Sequence, residues 1–230
     1  MLNRIFLLLF LPLLLAACAQ LPDKKGGHYK LFNFDALAKT DIDMVADTHV
    51  KQTLAQLKLL ATKLYKRNPK EWKKTKWKSR DAAISRIFRQ PIPSVNGKRS
   101  VASIRLAFDE HYKGDRVFAY IAGLASMLTI SYNNKNDFYM FDSLDAQKIY
   151  NGARNIEAAL WLLQTKKDRY GHYFLLSSGH GNSTTNRSYD RLFGKMIGQQ
   201  DTLAQIVAVK NHRVIKNAIQ SVAQFVFLPV

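Results

Sequence analysis

The stretch Val117 to Ser131 constrains this chain more than any other: 15 consecutive residues, V-F-A-Y-I-A-G-L-A-S-M-L-T-I-S, with no charge and with apolar side chains all the way round a helix. A helix that crosses a bilayer needs about 20 apolar residues, so this one is too short to span and is read as a central helix wrapped by the rest of the protein. Its small residues Ala119, Ala122, Gly123 and Ser126 let neighbouring helices approach closely. A chain of 230 residues with 47% hydrophobic content has enough apolar side chains to wrap it, in one domain or two small ones.

The flanking segments carry a helical period. From Thr40, T-D-I-D-M offers an N-cap with Asp41 and Asp43 in the first turn, where carboxylates favour the helix dipole. Val45, Val50, Leu54, Leu57, Leu60, Ala61 and Leu64 follow at helical steps, predicting a helix over 41–67 that Asn68-Pro69 stops. A short helix is predicted over 80–89, capped by Ser79 and ended by Pro91 and Pro93. Ser100 is read as the cap of the next, with Gly114 as its C-terminal glycine. Ser143 is read as the cap of the helix bearing Leu144, Ile149, Ile156 and Leu163. The C-terminal part, Tyr189 to Phe227, is again helical, with Leu203, Ile206, Val207, Val214, Ile215, Ile219, Val222 and Val226 on one stripe and a break expected near Gln199 to Asp201, where Gly194 and Gly198 weaken it. Strand alternation is confined to short pieces such as Tyr173 to Leu176. The predicted fold is all-α, a single compact domain of about six to eight helices over 39–230.

Residues 1–17 read differently. Met1-Leu2-Asn3-Arg4 places a positive charge ahead of an apolar run, Ile5 to Ala17, as in the n- and h-regions of a signal peptide that is removed. The run ends in Leu15-Ala16-Ala17-Cys18, which resembles the lipobox of bacterial lipoproteins; the resemblance covers residues 1 to 22. It implies cleavage before Cys18, a diacylglyceryl group on its thiol and acylation of the new amino group. Several buried acyl chains make such an anchor effectively permanent. Ala19 stands where the class uses Asp as an inner-membrane retention signal, so the resemblance implies the periplasmic face of the outer membrane. Residues 18–38, polar and broken by Pro22, Gly26 and Gly27, are the expected lipidated tether.

Cys18 is the sole cysteine, which excludes an intramolecular disulfide, a Cys-rich zinc site and an iron–sulfur cluster. No two of the six histidines fall at i and i+4, so neither a metal nor a cofactor is expected. Asp109, Glu110, His111, Asp115 and Arg116 are the densest titratable cluster, with Glu110 and His111 as candidate acid or base and an ion pair to Arg116 as the structural expectation. Ser177 to Ser183 is the most enzyme-like loop: His180 could act as a base and its glycines could cradle an anion, yet His180 stands where a G-x-S-x-G elbow needs Ser.

The charge balance, 35 Lys+Arg against 17 Asp+Glu, is steepest over Lys63 to Arg80, where nine basic residues meet a single acid, Glu71. Lys66, Arg67, Lys70, Lys73, Lys74, Lys76 and Lys78 interleave with Trp72 and Trp77, the footprint of a surface for polyanions. The leading expectation is a non-enzymatic envelope lipoprotein docking an anionic glycan, a lipid headgroup surface or an envelope protein through this segment. The alternative is a periplasmic hydrolase of peptidoglycan or lipid using His180 or Glu110. Nucleic-acid binding fits the charge but finds no recognised motif.

Overall fold

A computed structural model describes residues 41–135, 144–178, 187–212, 215–216 and 226–230, the side chains at 41 and 42 excepted. The chain divides into two units, Met1–Thr40 and Asp41–Val230, and everything described belongs to the second. The expectations at Cys18, the tether, Thr40, Ser143, His180, Val214, Ile219 and Val222 lie outside the described residues.

Seven helices are described, and no strand accompanies them among these residues: α1 (Asp41–Arg67), α2 (Pro69–Trp72), α3 (Arg80–Ile87), α4 (Ser100–Leu106), α5 (Arg116–Ser131), α6 (Ala146–Thr165) and α7 (Ser188–Lys210). The all-α reading holds, and the Tyr173 piece amounts to an isolated bridge with Lys167. None of the described helices is long and apolar enough to cross a membrane. The apolar helix α5 is the hub, buried from Val117 to Thr129 except at Phe118, with α1, α3, α4 and α6 packed around it and α7 paired along α6.

Close approach to α5 depends on small residues, as expected. A Cβ on Gly123 would fall 2.6 Å from the backbone nitrogen of Ile104 and 2.9 Å from the carbonyl oxygen of Ser100, so only glycine lets α4 cross here. The Ser126 Oγ accepts the Ser100 N–H at 2.7 Å, and the Ser103 Oγ donates to the Ala119 carbonyl at 2.8 Å, tying the crossing with hydrogen bonds between helices. Ser100 does not act as the side-chain cap, because Arg99 holds the cap position and makes no side-chain cap hydrogen bond. Ser100 is the first helical residue, at φ 51°, and its N–H is already spent on Ser126.

Ser79 does cap α3, its side chain accepting the Ala82 N–H at 3.1 Å. At α6 the cap is Asp145, whose carboxylate accepts the N–H groups of Gln147 and Lys148. Asn68-Pro69 ends α1, but the chain re-enters a helix at once, because proline at the first helical position has no N–H to leave unsatisfied. The break expected in the C-terminal helix does not occur: α7 runs unbroken through Gly194, Gly198 and Gln199 to Asp201 and ends at Lys210, with residues 226–230 non-helical. Tertiary contacts override the weak propensity there. Gln200 is fully buried, receiving the Tyr132 hydroxyl at 2.6 Å and donating to the Thr53 Oγ1 at 3.1 Å, which fixes that turn of α7 against α1 and α5.

Candidate functional site

The basic segment folds as the last turn of α1, the short α2 and the turns that lead to α3. Lys66, Lys70, Lys73, Lys74, Lys76 and Lys78 are exposed and Arg67 is half-buried. Trp72 packs against the core with the Lys73 ammonium over its ring, 5.8 Å from the centroid. Trp77 is 36% exposed and lies nearly parallel to Phe118, with centroids 6.4 Å apart and an interplanar angle of 11°.

Glu71, the one acid of the segment, turns inward and is 8% exposed. One carboxylate oxygen accepts the Arg116 N–H at 2.8 Å and the other the Lys74 ammonium at 2.6 Å. The backbone N–H it takes belongs to the first residue of α5, where negative charge is favoured by the helix dipole. Beside it Asp115, 1% exposed, caps the same helix: Oδ1 accepts the Phe118 N–H at 2.9 Å and Oδ2 the Tyr65 hydroxyl at 2.8 Å. Burial pushes the Asp115 carboxyl up to about 6, although those hydrogen bonds pull the other way. Burial, reinforced by the Asp115 charge, raises Tyr65 far above the usual phenol range and Tyr112 to about 12, so both hydroxyls stay protonated as donors.

Tyr112 reaches this cluster because residue 114 is glycine. A Cβ there would sit 2.4 Å from the Tyr112 hydroxyl oxygen and 2.6 Å from its ring, so the phenol folds back over the backbone and donates to the Asp115 carbonyl at 3.3 Å. Gly114 is thus not the terminus of α4, which ends at Leu106. Arg116 departs from expectation too. Its guanidinium pairs with no carboxylate of the Asp109–Glu110 stretch but donates to the carbonyls of Ala107, Asp109 and Tyr112, each at 2.8 Å, and lies over the Phe174 ring, 4.6 Å from the centroid. Three carbonyls around a planar fork hold the 107–112 loop onto the start of α5.

Between the segment and this loop lies a cavity of about 270 Å³, with Trp77, Phe118 and Tyr112 as its rings, Asp115 in its lining, and Lys76, Thr75, Ser94 and Asn96 adding polar groups. A second groove of about 450 Å³ runs along α4 beside Lys98, Arg105 and Asp109, and no ring lines it.

Glu110 and His111 stand outside the cavity lining. The Glu110 carboxylate accepts the Arg169 backbone N–H at 2.8 Å and the Arg169 guanidinium at 2.7 Å, and His111 is exposed with its backbone N–H on the Asp109 carboxylate. His180 lies outside the described residues. Among the described residues no group of His, Cys, Asp and Glu could hold a metal ion. Of the lining, Asp115 belongs to the titratable cluster legible in the sequence, whereas Tyr112 and Phe118 beside it and Ser94 and Asn96 from the turn before α4 carry no signal of their own. No protein family, curated protein or solved structure matches the chain.

Proposed function

We propose that the chain is a non-enzymatic lipoprotein of the bacterial envelope, anchored through Cys18 on the periplasmic face of the outer membrane, whose helical domain docks an anionic envelope surface through the Lys66–Lys78 segment. The observation that supports this reading is the direction of Glu71. Because the segment's one acid is buried against the Arg116 N–H and Lys74, the lysines left facing outward, Lys66, Lys70, Lys73, Lys76 and Lys78, form a surface of a single sign. Such a surface attracts anions within a Debye length of about 8 Å at physiological salt. A hydrolase built on Glu110 lacks comparable support, since Arg169 takes up both carboxylate oxygens.

The test is binding of the lipid-free domain to vesicles of phosphatidylethanolamine and phosphatidylglycerol. Replacing Lys66, Lys70, Lys73 and Lys76 together by Gln removes four charges worth about 1 kcal/mol each near such a surface, so affinity should fall about a thousandfold with a shallower salt dependence. Unchanged affinity in the quadruple variant would refute docking through this face. None of the four side chains is buried, so a folded variant is expected, checked by circular dichroism.

A further inference from the structure

We infer that the cavity beside the basic segment is a binding site for a sugar ring of an acidic glycan, an amino sugar carrying a carboxylate. The inference takes the sign of the ligand's charge from the docking reading and the rest from the cavity itself.

Three features select this chemistry. Trp77 and Phe118 lie almost parallel, at 11°, and Tyr112 adds a third ring to the same lining. Flat apolar faces of this kind suit the axial C–H face of a pyranose, which is apolar while its edge carries hydroxyls. Thr75, Ser94 and Asn96 supply short hydroxyl and carboxamide groups around those rings, the complement that hydroxyl and acetamido groups need when water is displaced. At about 270 Å³ the cavity accepts one ring rather than a chain, so the glycan enters with a terminal or protruding residue.

The ionisable groups of the lining show where such a charge would be met. Asp115 lines the cavity with each oxygen held within the fold, by the Phe118 N–H and the Tyr65 hydroxyl, and Glu71 is likewise turned to Arg116 and Lys74. The cation in the lining is Lys76, which is exposed, with Lys78 two residues further along the same exposed turn. A carboxylate on the sugar would meet Lys76 at the rim while the ring rests on Trp77.

The experiment titrates the lipid-free domain with N-acetylmuramic acid by calorimetry, with N-acetylglucosamine as the neutral counterpart. Saturable binding of the acid, at least about fivefold tighter than of the neutral sugar, is expected. Trp77→Leu should weaken it about tenfold, by loss of the ring face, and Lys76→Gln should bring the acid down to the affinity of the neutral sugar. Lys76 is exposed, so the second variant remains informative if Trp77→Leu fails to fold. A variant with Lys66, Lys70 and Lys73 changed to Gln, all outside the cavity lining, should keep sugar binding while losing vesicle binding. Absence of sugar binding by the wild-type protein, equal affinity for the two sugars, or undiminished binding by both Trp77→Leu and Lys76→Gln would overturn the assignment. Vesicle binding that survives in that case would leave the docking surface standing without a sugar site. Sugar binding without vesicle binding would do the reverse.

Discussion

Two regions of the domain bury hydrogen-bonding side chains against α5, and they do it with different chemistry. At the N-terminal end of α5, Asp115 and Glu71 are ionisable, they sit among Tyr65, Tyr112 and Lys74, and a cavity opens beside them. At its other end and along α6 and α7, neutral carboxamides do much of the fastening, beside the ion pairs of Arg154 with Asp201 and of Lys210 with the buried Asp43. Gln200 joins Tyr132 to Thr53, and Asn155 holds Leu228 by donating to its carbonyl at 2.8 Å and accepting its N–H. Asn151 extends this grip to the Pro229 carbonyl at 2.7 Å. A carboxamide can satisfy a donor and an acceptor at once without any charge to desolvate, so it is the economical way to fasten one segment to another. A carboxylate in the same surroundings costs stability through its charge. Buried carboxylates also occur away from this end, as at Asp43, which pairs with Lys210 at 3.2 Å; what distinguishes the N-terminal end of α5 is the aromatic cavity that Asp115 lines.

The contrast can be broken first at Asn155. Asn155→Leu leaves both the N–H and the carbonyl of Leu228 without their partner, at about 1 to 3 kcal/mol each, so the domain should lose about 4 kcal/mol in urea unfolding. The loss should be the same at pH 4 and pH 7, because nothing in that pair titrates. A loss under 1 kcal/mol would mean that the 226–230 segment is not fastened as described.

A smaller effect with the opposite signature is expected at Asp115. Its folded value of about 6 stands above the ordinary carboxyl value of 3.8, so the native state holds the proton more tightly than the unfolded chain. The stabilisation from protonation is complete below pH 4 and is lost as pH rises through 6, up to about 3 kcal/mol for a shift of this size. Asp115→Asn keeps an acceptor for the Phe118 N–H and carries no charge. It should be close to neutral at pH 4 and should stabilise the domain at pH 7, as read by thermal melts across that range. A variant that is destabilised equally at both pH values would place Asp115 in the same class as Asn155.

Much of the scaffold was legible from local signals, and the reasons are visible in particular residues. The limits of α1 follow from Asp41 in its first turn and Asn68-Pro69 at its end, the Ser79 cap from its place before an apolar period, and the burial of α5 from the lack of any polar face. What escaped depends on partners far along the chain. Gly194 and Gly198 signal weakness, and only the contacts of Gln200 with Thr53 and Tyr132 keep α7 whole. Arg116 was matched to its sequence neighbours, whereas Glu110 belongs to Arg169 and the Arg116 guanidinium to backbone carbonyls. The candidate site divides in the same way. Lys76 and Trp77 stand out in a contiguous basic run, but their lining partners Ser94, Asn96, Tyr112 and Phe118 are brought to them by the turn at 94–97 and by the fold-back that Gly114 permits.

The claim that the N-terminal end of α5 faces the envelope while the carboxamide region holds the fold is tested most directly by a nitrogen–proton NMR titration of the lipid-free domain with soluble fragments of a carboxylate-bearing, N-acetylated glycan. The expected result is a set of salt-sensitive shifts confined to Thr75–Lys78, Ser94–Asn96 and Tyr112–Phe118, including the Trp77 indole, with Asn151, Asn155 and Gln200 unmoved. Shifts centred on α6 and α7, or a folded spectrum that no concentration of fragment perturbs, would contradict it.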